Sequence, residues 1–267
     1  MKIHGTAQGG ALSKKDFGVA FGGVGNGGCS NFEDSLGTDA NGTNSGSTIN
    51  TSGQKLGDGC VSFDGSNDFI NLNGISGTEA FSTNVGSITM WINSGDDTQE
   101  APPFAFADTD AQTFLLIRVD SEMLISQLKV GNVFKWNVKQ TSVMTEGQWV
   151  WVAIVQDGTA VKYFVNNVEI TSFDNDDDKT AWVTSAMDNC RAGCINKNSA
   201  GNSQFFDGLV DDIGIFDTAI DSTTRDFLYN SGTGRKISQL ESCDNVKAYY
   251  NCDEFDNSTL TNNAVPV

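Results

Sequence analysis

Apolar and polar positions alternate in short runs through much of the chain. In "GSITMWIN", Ile88, Met90 and Ile92 share one parity and Thr89 and Trp91 the other, the period of a half-buried strand. "QTFLLIRVD", "MLISQLKV" and "NVFKWNVKQ" follow one another at hairpin spacing. In the last of these, Val133, Lys135 and Asn137 alternate with Phe134, Trp136 and Val138, so the second set is expected to be buried. "GQWVWVAIVQDGTAVKYFVNNVEI" reads as two strands around an Asp157-Gly158 turn. "QFFDGLVDDIGIFDTAI" is a long apolar strand interrupted by Asp207-Gly208 and by Asp211 and Asp212. "DSTTRDFLYNSG" predicts one short helix, capped by Asp221 or Ser222, with Phe227 and Leu228 facing inward and Gly232 ending it. Many strands and one short helix predict an all-β fold, a two-sheet antiparallel jelly-roll sandwich.

Three segments divide the 267 residues. Residues 1–28 form a Gly-rich arm, 29–237 the sandwich, and 238–267 an extension holding the strand-like "VKAYYNCDEFDNSTLTNNAVPV". No apolar run is long enough to span a membrane, and the N-terminus has no recognisable secretory signal. Net charge is −18. Nucleic-acid binding needs a basic face, which this composition argues against. The acidity fits a salty or extracellular setting, or divalent-cation sites.

The six cysteines are Cys29, Cys60, Cys190, Cys194, Cys243 and Cys252. Sequence proximity suggests the pairs Cys29–Cys60, Cys190–Cys194 and Cys243–Cys252. Zinc is disfavoured by the C-x3-C and C-x8-C spacings and by His4 being the sole histidine. Disulfides imply an oxidising destination. Without a signal, that points to a virion protein oxidised after release, or to export by an unusual route.

Three stretches resemble the laminin G-like, concanavalin A-like jelly-roll family: "LGDGCVSFDGSNDFINL" (56–72), "SITMWI" with the Trp-bearing hairpin that follows, and "FFDGLVDDIGIFDTAIDSTTRDFLYNSG" (205–232). The tail's "AYYNCDEFDNSTLTNNA" resembles the strand with which that family begins, and Asn31-Phe32-Glu33-Asp34 is a weaker version. The start signal thus occurs twice. The tail is expected to open a further repeat, to lie along its own sandwich, or to dock at a subunit contact, the last being favoured. The resemblance implies two antiparallel sheets, room for a structural calcium and, in many members, glycan binding. It does not imply an enzyme. The E-x-D-x-x-E strand of β-glucan hydrolases begins only at Glu254-Phe255-Asp256, where Thr259 replaces the second glutamate. No catalytic residue is assigned.

Calcium takes six to eight oxygens. Asp64 and Asp68 offer one acid set, and Asp211 and Asp212 another, the latter expected to meet carbonyls from about 31–39. Asp64-Gly65 and Asp207-Gly208 read equally well as plain turns. The run from Asp174 to Asp178 reads as a solvated loop. Glycan binding calls for an exposed aromatic platform. Trp91 and Trp149 occupy core positions of the family, Trp136 and Trp151 are freer, and Trp182 beside the acid run is the leading platform, with Trp136 second. Asn41, Asn50 and Asn257 begin glycosylation sequons. The expected function is a non-catalytic jelly-roll subunit that self-associates in a virion or extracellular surface assembly and binds glycans. The alternative is a calcium-dependent, lectin-like adhesion module.

Overall fold

The computed structural model describes residues 40–76, 80–256 and 259–261. The Gly-rich arm, Cys29, the 31–34 signal and Asn257 lie outside them. In chain order the strands are β1 (Gly42–Ser45), β2 (Thr48–Asn50), β3 (Cys60–Asp64), β4 (Phe69–Asn71), β5 (Val85–Ser94), β6 (Glu100–Ala107) and β7 (Phe114–Asp120). Next come β8 (Met123–Val130), β9 (Val133–Gln140), β10 (Trp149–Asp157), β11 (Val161–Val165), β12 (Val168–Ile170), β13 (Phe173–Asn175) and β14 (Asn189–Ala192). The last are β15 (Ile195–Asn196), β16 (Asn202–Ser203), β17 (Asp207–Phe216), β18 (Val246–Tyr250), β19 (Phe255–Asp256) and β20 (Thr259–Leu260).

Two antiparallel sheets face each other. One runs β13-β9-β8-β7-β6-β14-β4-β1-β20-β19. The other runs β12-β11-β10-β5-β17-β3-β2, with β18 also paired to β17. The main core lies between them and takes Ile88, Met90 and Ile92 from β5, Leu115 and Ile117 from β7, and Trp136 and Val138 from β9. The period-two reading therefore holds for β5 and for Trp136 and Val138 of β9. A second apolar layer coats the outer side of the β5-bearing sheet. There Trp91, Trp151, Phe164 and Phe216 meet Ile220, Leu228, Ile237 and Leu240. With both faces covered, β5 and β17 are buried almost end to end. The cover sits close: a Cβ on Gly214 would come within 2.2 Å of Ile237 Cδ1.

Helix α1 (Ser222–Tyr229) belongs to that cover. Asp221 caps it, accepting a hydrogen bond from the Thr224 amide at 2.8 Å. Leu228 is buried and Phe227 half-buried. The helix ends at Tyr229, three residues before the expected glycine, because the C-cap Asn230 takes the left-handed conformation, with φ 45°, that an amide side chain tolerates.

The C-terminal segment is part of the sandwich. β18 pairs antiparallel with β17, Ile213 opposite Tyr250 and Ile215 opposite Ala248. Tyr250 enters the main core, while Val246 and Tyr249 enter the outer layer. β20 pairs with β1 in the other sheet. The expectation of a subunit-contact strand is thus corrected: β17 extends past the end of β3, and β18 of the same chain fills the vacant edge.

The suggested local disulfides are corrected too. Cys60, Cys190, Cys194 and Cys252 are buried free thiols. Cys243 is disulfide-bonded, but Cys252 is not its partner. Cys243 lies in the outer layer and Cys252 in the main core, with the sheet between them. Burial pushes the Cys60 and Cys194 thiols up to about 12, so they are poor nucleophiles at neutral pH.

If β18 is integral, Tyr250→Ala removes a fully buried ring and costs about 3–5 kcal/mol, measured by urea denaturation. A loss below about 1 kcal/mol would make the strand an appendage.

Candidate functional site

The expected acid pair sits where β17 changes partner. Val210 lies opposite Val61 of β3, and Ile213 lies opposite Tyr250 of β18. Between them the register against β5 slips, and Asp212 adopts φ 52°, the geometry of a bulge. The bulge turns the two carboxyls to different partners. Asp211 Oδ2 accepts from the backbone amides of Lys55 at 3.0 Å and Leu56 at 2.8 Å. Asp212 Oδ1 accepts from the Tyr249 hydroxyl at 2.8 Å. Burial pushes the Asp211 carboxyl up to about 8, against the Leu56 amide, with Asp212 adding to the rise. Burial likewise pushes Asp212 up to about 7, against the Tyr249 hydroxyl.

Among the described residues, the partners of this acid pair are hydrogen-bond donors. Asp211 Oδ2 faces N–H donors, and Oδ1 is buried with no partner among the described residues. The carbonyls expected from 31–39 lie outside the described residues. Asp64 and Asp68 stand apart from this pair. Asp64 lies at the far end of β3, opposite Asp207. Its Oδ1 accepts from the Ser66 and Asn67 amides, which is turn chemistry. Asp68 Oδ2 accepts from the Asp64 amide at 3.2 Å. Among the described residues, no three His, Cys, Asp or Glu side chains converge on a metal-sized space.

The tryptophan platforms are corrected. Trp182 is 2 % exposed and Trp136 is fully buried. Trp136 has inward parity on β9, and its Nε1 donates to the Ala181 carbonyl at 3.1 Å. Trp182 packs edge-on against Phe81, with ring centroids 5.2 Å apart. Trp151 is buried as well, and Trp91, an expected core residue, lies in the outer layer. Trp149 is half-buried, its Nε1 donating to the Gly53 carbonyl. The acid run is solvated as expected, with Asp174, Asp176 and Asp177 exposed.

A different surface gathers ligand-binding chemistry: the outward face of β7, β8 and β9. Register aligns its side chains in three rows. They are Phe114–Lys129–Phe134, Leu116–Gln127–Asn137 and Arg118–Ile125–Lys139. Sequence parity had assigned Phe134 to the core. A register shift after Leu128 sets it opposite Lys129 instead, whose Nζ lies 4.4 Å from its ring centroid. The face is recessed, since Ile125 and Gln127 point away from the core yet are only 5 % and 6 % exposed.

Two neighbours frame it. The β15–β16 hairpin packs Ile195 against Phe114, Leu116, Ala105 and Ala107, and Lys197 reaches to 4.8 Å from the Phe114 centroid. On the other flank, Lys139 pairs with Asp174 of the adjoining edge strand at 2.7 Å. Arg118 holds Glu100 at 2.8 Å and Asp120 at 2.5 Å. Arg118 Nε and Asn137 Oδ1 are buried without a partner among the described residues, and such atoms call for an explanation. Sequence reading missed this site because it looked for tryptophan. The amides and cations were visible at polar parity in "MLISQLKV" and "NVFKWNVKQ".

The acid pair predicts a pH dependence. In the unfolded chain both acids titrate near 4, and in the fold they hold their protons to about 8 and about 7. The folded state therefore binds more protons between those limits, and stability falls as pH rises through them. The melting temperature should drop from pH 5 to pH 8, and Asp211→Asn should flatten the drop. Because no metal-sized acid cluster occurs among the described residues, the melting temperature is expected to be unchanged by EDTA. Calcium-coordinated carboxylates would give a marked fall with chelator and no loss from pH 5 to 8.

Residues 64–224, more than half of the chain, match the family model described as the concanavalin A-like lectin/glucanases superfamily, Laminin_G_3. No curated protein matches. Among solved structures, the chain is similar to domain 4 of AbnA, an extracellular arabinanase of family GH43 from Geobacillus stearothermophilus, solved with arabinotriose. Identity is 18 %, covering 77 % of this chain and 93 % of that one, with a TM-score of 0.52. It is also similar to NanB sialidase from Streptococcus pneumoniae, at 13 % identity and a TM-score of 0.51. That match covers 62 % of this chain but only 26 % of the sialidase, so the chain corresponds to a fraction of that enzyme. The receptor-binding domain of a botulinum neurotoxin C/D mosaic serotype matches at 14 % identity and a TM-score of 0.50, covering 70 % of this chain and 45 % of that one. At these identities the likeness is one of fold. The family match agrees with the motifs at 56–72 and 205–232, and the chain belongs to the concanavalin A-like lectin/glucanase superfamily.

Proposed function

We propose that the chain is a non-catalytic glycan-binding module and that the outward face of β7, β8 and β9 is its binding surface. The observation that carries this reading is the middle row, where Gln127 and Asn137 stand side by side on a recessed surface. Paired amides suit the alternating donors and acceptors of sugar hydroxyls. Phe134, half-buried beside them, supplies an apolar ring surface. The fold likeness to a domain solved with arabinotriose accords with this reading.

The non-catalytic part rests on the acids. Glycoside hydrolysis needs two carboxyl groups free to act as acid and as nucleophile or base. Glu100 and Asp120 beside this face are both held by Arg118, and Asp174 is held by Lys139. Binding is proposed to be independent of calcium. A virion or extracellular surface assembly remains the proposed setting, with self-association through surfaces distinct from this face.

A glycan array probed with the full chain tests the reading. Binding of at least one glycan class is expected, and Asn137→Ala should weaken it about tenfold, or ~1.4 kcal/mol, without changing the melting temperature. An array without hits would contradict the proposal.

A further inference from the structure

The chain carries a net charge of −18, yet the outward face of β7, β8 and β9 concentrates cations. Arg118, Lys129 and Lys139 project from its strands, and Lys197 reaches in from the β15–β16 hairpin. Two of the four are neutralised locally, Arg118 by Glu100 and Asp120 and Lys139 by Asp174. Lys129 and Lys197 are not ion-paired among the described residues.

These two lysines converge on one ring. Lys197 Nζ is 4.8 Å and Lys129 Nζ 5.9 Å from the Phe114 centroid. Gln204 accepts from Lys197 Nζ at 3.2 Å and steadies it. Like charges held together without a counter-charge repel each other. Lys197 registers that repulsion: burial first, then Arg118 and Lys129, lower its affinity for a proton, with Glu100 opposing. An anion placed near Phe114, within reach of both ammonium groups, would relieve the repulsion. The net negative charge of the chain disfavours anions in general, so a local excess of cations is what a bound anion would require.

Resting on the glycan-binding reading above, we infer that this site selects an anionic sugar. Its acidic group would lie beside Phe114 within reach of Lys129 and Lys197, and its hydroxyls would lie along Gln127 and Asn137. The shared chemistry is a negatively charged substituent on a sugar ring, either a carboxylate or a sulfate.

Isothermal titration calorimetry of the full chain with trigalacturonic acid, a chondroitin sulfate hexasaccharide and neutral galactotriose tests the inference. At least one anionic probe should bind tenfold or more tightly than galactotriose. The double variant Lys129→Gln, Lys197→Gln should lose that advantage, and Lys129→Arg, Lys197→Arg should keep most of it. Melting curves establish that both variants fold. A response to trigalacturonic acid alone assigns the carboxylate class, and a response to the sulfated probe alone assigns the sulfate class. Galactotriose binding as tightly as the anionic probes would overturn the inference and leave the glycan-binding reading intact. Undiminished binding by the folded glutamine variant, or binding to neither anionic probe, would also overturn it.

Discussion

The sandwich depends on one long strand that no single partner can satisfy. β17 runs from Asp207 to Phe216 against β5 on one side, and on the other it is served first by β3 and then by β18. Unpaired backbone groups inside a covered sheet are costly, so the junction between β3 and β18 has to be closed. The bulge at Asp211 and Asp212 closes it with side chains. One carboxyl ties the backbone leading into β3, and the other ties Tyr249 of β18. The late segment Val246–Tyr250, which resembles the family's opening strand, serves as the second partner of β17.

That arrangement determines which faces remain open. The β5-bearing sheet is covered inside by its partner sheet and outside by α1 and the segment around Ile237 and Leu240. Among the described residues, much of the outer side of the opposing sheet carries no cover. The β15–β16 hairpin shields the patch around Ala105, Phe114 and Leu116. The remaining recessed surface is where amides, cations and Phe134 collect. Its position follows from the unequal covering of the two sheets.

Much of the architecture was legible in the residues. Alternation in β5 and β9 gave inward and outward parity, and Asp157-Gly158 and Asp221 marked a turn and a cap. What was not legible depended on pairing across distance. Phe134 carries inward parity, yet a register shift turns it outward. Cys243 and Cys252 are close in sequence, yet they fall on opposite faces of one sheet. Trp182 follows an acidic loop, which suggested exposure, but its ring completes the core against Phe81. Asp211 and Asp212 stand out in the sequence as interrupting an apolar strand. Their solution, amide and phenol hydrogen bonds at a strand junction, needed the third dimension.

The most direct test of the binding account is to map where a sugar touches the protein. Backbone amide chemical shifts would be followed in two-dimensional NMR as an array-identified glycan is titrated into the full chain. The account predicts perturbations concentrated at Phe114–Arg118, Ile125–Lys129, Phe134–Lys139 and Lys197, with α1 and the loop around Asp64 unmoved. Shifts centred on α1, on the Asp64–Asp68 turn or on the Asp211 junction, with the three strands silent, would contradict it.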